Sequence, residues 1–381
     1  MRICLVNLGV LGVLSPQHKD QGVGGAEVQC AQLAAALLRL GHDVRLIVAD
    51  AGQPEGATYE GIVTHKTYKE SAGLPALRFV HPRWTKLWAA LARADADVYY
   101  FSCAGMVLGL LAMFCRIHKR RLVFRVASDY DCEPDKVELR YRRDRWLYQY
   151  GLRRADAVLV QSTSQQRALL RNYGRQSSLV GGFVARPLPG SGEKPKDVDV
   201  LWVSNIRKVK RPERLLALAR SMPDIQFHMA GGEQAGEIDL YKHIAQEARS
   251  IPNLHFHGAV AYQDVGSLFD RARVLANTSD LEGFPNTFLQ AWVRGIPVVT
   301  MFDPDETVRR NGLGSSHTAV PEMVQGIRKL LLSQDAYRAA SAAALQLMRQ
   351  RYGESVVLRP YLDVMLQGKR EPETLSTKIS D

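Results

Sequence analysis

The segment Ser279–Thr300, SDLEGFPNTFLQAWVRGIPVVT, decides how the chain is read. Val274, Leu275 and Ala276 end a short apolar run of the kind a buried strand makes, and the polar stretch Asn277 to Asp280 breaks it. Glu282-Gly283-Phe284-Pro285-Asn286 then reads as a turn, and Phe288, Leu289, Ala291 and Trp292 recur at helical spacing. Arg294-Gly295 stops that helix, and Ile296-Pro297-Val298-Val299 begins the next strand. Strand, loop, helix and strand in this order make half of a parallel βαβ pattern. A helix start offers unpaired N–H groups and a partial positive charge, so the amides near Asn286 and Thr287 suit a diphosphate. Gly283 allows close approach of backbone to a ligand, and Glu282 can accept hydrogen bonds from sugar hydroxyls.

A second cluster lies upstream. Leu201-Trp202-Val203-Ser204-Asn205-Ile206 begins as an apolar strand, and Pro212 opens a helix expected over Glu213 to Arg220. Between them Arg207, Lys208, Lys210, Arg211 and Arg214 concentrate positive charge at a strand end, which suits a departing group whose negative charge grows as its bond breaks. A solvated basic loop is the alternative. At the N-terminus, Met1 to Asn7 has a buried-strand pattern. After a long loop, Gly22-Val23-Gly24-Gly25-Ala26-Glu27 leads into a helix that ends at Gly41, before a strand over Val44 to Val48. A dinucleotide-binding loop is the rival there, and it fails on spacing, because the third glycine position of G-x-G-x-x-G is Glu27.

Together these segments resemble the retaining glycosyltransferases of family 4, over about residues 1–366 and most strongly from His257 to Thr300. The resemblance implies an α/β chain of the GT-B fold, two doubly wound Rossmann-like domains facing a central cleft. The implied domains are an acceptor-side domain over 1–184 and a nucleotide-sugar-binding domain over 185–366, with a disordered tail at 367–381. In the family the last helix crosses back to the first domain, which points to Ser355 to Met365. The family's donor motif has two acids with seven residues between them: Glu282 stands at the first, which orients the donor hexose, and Gln290 replaces the second, which holds the ribose. The family also places an Arg and then a Lys five residues on after the earlier strand. Lys210 carries over, whereas the Arg position is Asn205 and Arg207 is the substitute two residues later. Gly24 and Gly25 match the family's glycine loop and would let backbone approach donor phosphate or acceptor. Related enzymes carry a His near Ala127-Ser128-Asp129-Tyr130-Asp131; none stands here, so Asp129 and Asp131 are the candidate substitutes, with a polar strand-end loop as the alternative.

The expected catalytic residues are therefore Lys210, Arg207, Glu282 and Asp129. The expected donor contacts are Gly24, Gly25, Asn205, Gly283, Phe284, Pro285, Asn286, Thr287 and Gln290. The implied activity is transfer of a hexose from a nucleotide diphosphate sugar to a glycan or lipid-linked glycan in polysaccharide or glycoconjugate biosynthesis. A sugar-nucleotide epimerase of the same fold and a non-catalytic sugar-nucleotide sensor are the alternatives. Asp95/Asp97, Asp129/Asp131, Asp197/Asp199 and Asp303/Asp305 each read D-x-D, a pattern that holds a divalent ion in another transferase fold, but such pairs arise readily by chance. No cofactor and no metal are expected.

Composition bounds the rest. The 381 residues, 46% hydrophobic and 23% charged, suffice for two cores, with a boundary expected at Gly181 to Lys196 where Gly, Pro and charge concentrate. Five cysteines without C-x-x-C pairing suit a reduced, cytoplasmic setting, and no signal peptide is recognised. Val98 to Cys115 is uncharged over 18 residues, yet Ser102, Gly105 and Gly109 favour a strand and a buried helix over a membrane span. The net charge of +11 includes His81-Pro82-Arg83-Trp84 and Arg140-Tyr141-Arg142-Arg143-Asp144-Arg145-Trp146, which mix cations with aromatics. A plain solvated face is the first reading of such segments, and peripheral contact with an anionic membrane or a lipid-diphosphate acceptor is the functional one; no nucleic-acid-binding motif is recognised.

Overall fold

A computed structural model of the chain describes residues 1–18, 23–69, 71–74, 77–185, 195–234 and 236–367. Gly22, residues 186–194 of the expected boundary, and all of the expected tail beyond Gln367 lie outside the described residues. Two compact units result, one formed by Met1–Phe183 together with the chain from Gly353 onward, the other by Val184–Tyr352.

The first unit opens with β1 (Arg2–Val6), α1 (Leu11–Leu14), α2 (Gly25–Arg39), β2 (Asp43–Val48), β3 (Thr58–Tyr59) and β4 (Ile62–Lys66). It continues through α3 (Thr85–Ala94), β5 (Val98–Ser102), α4 (Met106–Ile117), β6 (Arg121–Arg125), α5 (Arg142–Arg154), β7 (Ala157–Val160), α6 (Thr163–Tyr173) and β8 (Ser178–Leu179). The sheet order is β3-β4-β2-β1-β5-β6-β7-β8, parallel except for the β3–β4 hairpin. Helices cover both faces of such a sheet, which is why central strands such as β5, VYYFS, are buried along their whole length. The order reverses between β1 and β5: the chain first builds outward through β2, then returns to the other side of β1.

The uncharged run Val98 to Cys115 forms β5 and most of α4, and no described helix is long and apolar enough to cross a membrane. Its glycine has a packing role. A Cβ on Gly109 would lie 2.5 Å from the Leu147 carbonyl oxygen, and one on Gly151 would lie 2.6 Å from the Leu108 backbone, so α4 and α5 cross where neither helix carries a side chain.

The second unit runs β9 (Val198–Val203), α7 (Pro212–Ser221), β10 (Phe227–Ala230), α8 (Ile238–Ala248), β11 (Leu254–Gly258), α9 (Tyr262–Arg271), β12 (Ala272–Asn277) and α10 (Asn286–Trp292). Then come β13 (Val298–Thr300), α11 (Thr307–Arg310), β14 (Gly314–Ser316), α12 (Val320–Leu332) and α13 (Gln334–Arg351). Its sheet is wholly parallel, in the order β11-β10-β9-β12-β13-β14. The apolar cores lie on the two faces, one around Trp202, Phe227 and Met229, the other around Phe288, Trp292 and Leu201. The strand order reverses between β9 and β12, so the loops after these two strands diverge and leave a crevice at their carboxyl ends.

The last helix, α14 (Glu354–Leu366), belongs to the first unit. Its Tyr361 packs against Tyr100 and Phe183, with its hydroxyl donating to the Gly181 carbonyl at 3.2 Å. Arg39 of α2 grips Glu354 through two hydrogen bonds of 3.2 and 2.7 Å.

Candidate active site

In the second unit, the loops after β9 and β12 bring the two strongest sequence candidates into contact. The Lys210 ammonium donates to Glu282 Oε2 at 2.6 Å, and the other oxygen, Oε1, accepts from the Ser279 hydroxyl at 2.8 Å. Only 16% of the Lys210 side chain and 14% of the Glu282 side chain are exposed, so the pair is shielded far more than an ordinary surface ion pair. One of three ammonium protons is used on Glu282, which leaves donors for phosphate oxygens, and each Glu282 oxygen retains a lone pair for a hydroxyl.

The scaffold under this pair explains its position. The Trp202 indole in β9 donates to the Thr278 hydroxyl at 2.9 Å, and that hydroxyl donates to the Lys210 carbonyl at 2.8 Å, which ties the two loops together. Buried Asn277 accepts from the Ser279 amide at 3.1 Å and turns the chain at the end of β12. Asp280 accepts from Arg214 at 2.6 Å and from Arg211 through a shorter bond. Burial alone would raise the Asp280 pKa, but these guanidinium bonds win and hold it below its ordinary value. Arg211 sits at φ +51, a left-handed conformation costly for a residue with a Cβ, immediately before Pro212 starts α7. The Asp280 contact is what fixes it there.

The basic run is thus divided. Arg211 and Arg214 brace the loop through Asp280, a role the strand-end reading of five cations for one leaving group did not anticipate. Arg207 Nε lies 3.7 Å from Glu237, whose other oxygen accepts from the Lys208 amide at 2.5 Å. Lys210 is the member of the run paired with Glu282. Asn205 lies in the same loop, where the Ile206 amide bonds to the Gly232 carbonyl at 2.9 Å.

α10 starts at Asn286, after Pro285 in an extended conformation and with no side-chain cap on its first turn. Gly283 and Pro285 are buried, and Phe284 packs on Phe288, Trp292 and Tyr352, so these three shape the loop from below. Asn286, Thr287 and Gln290 are partly exposed on the first two turns of α10. Ser279, Thr278 and Asp280 were missed as site residues. The signal was their place in the polar break after β12.

The other candidates stand in the first unit. Gly24 precedes α2, and its amide donates to Glu27 Oε2 at 3.0 Å in a capping arrangement. A Cβ at Gly24 would come within 2.7 Å of that same oxygen, so the need for glycine here is met by the protein's own carboxylate. After β6, Asp131 is buried and accepts from the Ala127 and Ser128 amides at 3.0 and 3.1 Å. Burial pushes its pKa up to about 6, against the pull of those two amides. Asp131 is a fold-holding acid. Asp129 points elsewhere and accepts from Gln165 at 2.9 Å, while Gln165 also accepts from the Gln161 amide. Cys103, at φ +77 after β5, is half-buried, and Asp131 and Glu27 lie near enough to act on its thiol, which gathers these acids near the carboxyl ends of the central strands.

The D-x-D acids are engaged by the chain's own groups, and one pair, Asp95 and Asp97, converges on Arg120 at 2.6 and 4.0 Å. Asp95 holds Arg120, Asp197 holds Arg271, Asp199 holds Arg273, and Asp303 caps the Val308 and Arg309 amides. Among the described residues no three His, Cys, Asp or Glu side chains form a group suited to a metal ion.

Comparison with known proteins agrees with this geometry. Residues 23–180 match the profile of Glycosyltransferase Family 4, and residues 188–346 that of Glycosyl transferases group 1. Among solved structures, sucrose-phosphate synthase from Thermosynechococcus elongatus is 17% identical with a TM-score of 0.75, over 95% of this chain and 97% of that one. Anabaena HepE, in complex with UDP and glucose, is 18% identical with a TM-score of 0.73, over 96% and 99%. WaaG, a glycosyltransferase involved in lipopolysaccharide biosynthesis, is 15% identical with a TM-score of 0.69, over 96% and 100%. No curated protein matches the sequence. Two Rossmann-like parallel-sheet domains of the GT-B type, matched along most of their length by these two profiles, make the chain a member of the family-4, group-1 glycosyltransferases.

Proposed function

We propose that the chain moves a hexose, with retention of anomeric configuration, from a nucleotide diphosphate sugar to a hydroxyl of a glycan or lipid-linked glycan. The observation that carries this reading is the shielded Lys210–Glu282 pair, completed by Ser279, at the switch point of a doubly wound sheet. Lys210 neutralises charge on the departing diphosphate, the first-turn amides of α10 assist it, and Glu282 holds hexose hydroxyls. α10 is only seven residues long, so its contribution is that of local N–H groups more than of a long dipole. Gln290 offers an uncharged contact for the ribose. The acceptor oxygen adds to the anomeric carbon on the face the diphosphate leaves, and its proton passes to a diphosphate oxygen. UDP with glucose in HepE, and UDP with GlcNAc in the pneumococcal O-GlcNAc transferase GtfA, support a nucleotide-sugar donor.

No metal is required in this reading, because a cation already faces the diphosphate and the D-x-D acids are engaged in their own contacts. The cytoplasmic, membrane-peripheral setting is supported by five free cysteines and by the exposed Leu77, Val80 and Trp146 set among arginines, one of which, Arg143, lies 3.6 Å over the Phe79 ring. The test is a panel of UDP-, GDP- and ADP-sugars in EDTA, read by thermal shift and by released nucleoside diphosphate. Stabilisation and release by one donor are expected, both lost in Lys210→Ala. Stabilisation without release, even with glycan acceptors supplied, would make the protein a sensor, and no response to any donor would overturn the site.

A further inference from the structure

The first unit carries a second charged feature, at the amino ends of its strands and so opposite to Asp129 and Cys103, which follow their carboxyl ends. A cavity of about 520 Å³ opens beside the start of β6, lined by Arg116, Lys119, Arg120, Arg121 and Arg154 with Asp156 as the acid on its wall. Part of this charge has an ordinary explanation. Arg116 and Arg154 stand in or just past the last turns of α4 and α5, each of whose carboxyl ends is equivalent to about half a negative charge. Arg120 is held by Asp95 at 2.6 Å. Asp97 also lies 4.0 Å from Arg120, so the helix ends, Asp95, Asp97 and Asp156 set against the five cations leave about one positive charge unbalanced in the cavity.

Backbone geometry supplies an independent observation. α4 ends in a Schellman turn, in which the Arg120 amide reaches back to the Cys115 carbonyl at 2.8 Å and Lys119 takes the left-handed position at φ +52. That position calls for glycine, and a lysine there serves no need of the turn. It places an ammonium on the rim of the cavity instead. Arg121 is fixed on the other side, donating to the Val364 carbonyl at 2.6 Å and to Gln367 at 3.1 Å, so the cationic lining is partly preorganised.

We infer that this cavity binds an anionic phosphate or diphosphate group, distinct from the donor at Lys210. The guanidinium forks and the ammonium of this lining match phosphate oxygens in charge and hydrogen-bonding capacity. A soluble diphosphate and a phospholipid headgroup share this chemistry.

The experiment uses the full chain carrying Lys210→Ala, which removes the donor-site cation, and titrates it calorimetrically with inorganic pyrophosphate. Sub-millimolar binding is expected, weakened at least tenfold when Arg116→Glu and Lys119→Glu are added and less than twofold by Lys242→Glu in the second unit. A parallel arm sediments the same proteins with phosphatidylglycerol–phosphatidylcholine vesicles and with phosphatidylcholine alone. Loss of pyrophosphate binding on charge reversal identifies a soluble phosphate ligand. Loss of anionic-vesicle binding alone identifies a headgroup. Either result supports the site, and indifference of both arms to the reversal overturns it. If the reversed protein misfolds by circular dichroism, Arg116→Gln with Lys119→Gln replaces it, with a threefold loss as the threshold. Donor release by the Arg116→Glu/Lys119→Glu protein with Lys210 intact separates failure here from failure of the donor site.

Discussion

The two units use carboxylates in opposite ways at the carboxyl ends of their central strands. In the second, Glu282 is bound by side chains, Lys210 and Ser279, which can exchange partners when a substrate enters. In the first, Asp131 and Glu27 are spent on backbone amides of the loops they cap. The contrast separates a charge pair available to chemistry from acids that hold a loop in shape. It explains why the candidate site of the second unit is readable in the sequence while that of the first is not.

The largest effect should come from breaking the exchangeable pair. Lys210→Ala should lower turnover per folded molecule about a hundredfold or more, the loss of roughly 2.7–4 kcal/mol of transition-state stabilisation. A loss under threefold would erase the distinction. Next, Gly151→Ala puts a methyl group 2.6 Å from the Leu108 backbone and should cost about 1–3 kcal/mol through overpacking. Chemical denaturation would read it, and turnover per folded molecule should be unchanged.

Acid should also distinguish the units. Asp131 titrates near 6 in the fold, above an ordinary carboxyl, so the folded protein binds the proton more tightly and this group adds stability as pH falls from 7 towards 4. His228, buried and facing His257 at 2.9 Å, behaves conversely. Burial first, then repulsion from His257 and His255, lowers it to about 4, so it withdraws stability as pH falls from 6.5 towards 4. The neighbouring Arg271 lowers it further and Asp197 opposes this. Asp131→Asn should remove the stabilising slope and His228→Asn the destabilising one, measured as thermal midpoints at pH 7 and 5. Equal slopes in both variants and wild type would refute the assignment. The smallest effect is expected at Gln290→Glu, a few-fold fall in donor KM with kcat nearly constant; a larger change in kcat would move Gln290 from ribose to reaction centre.

Much of the fold was legible because parallel strands buried on both faces leave unbroken apolar runs, as in Leu201-Trp202-Val203 and Val98 to Phe101. Glu282 and Lys210 were singled out because they match the family's motif in the loops that follow these runs. What escaped depends on contacts distant in sequence. The Asp280 brace joins residues more than sixty positions apart, and nothing local marks Arg211 as left-handed. Asp131 escaped for another reason: a D-x-D spacing says nothing about whether the two acids face one point or, as here, separate partners. Lys119 was hidden because a lysine stands where the turn asks for glycine. The return of the last helix came from family resemblance, with no residue pattern of its own.

That return sets an order on synthesis. Tyr361 closes the first unit's core against Tyr100 and Phe183, yet residues 184–353 must be made before α14 exists. At about 5–20 residues per second, the amino-terminal sheet waits roughly 10–30 s on the ribosome with that surface uncovered. The second unit, continuous in sequence, can finish folding while its elder neighbour is still incomplete.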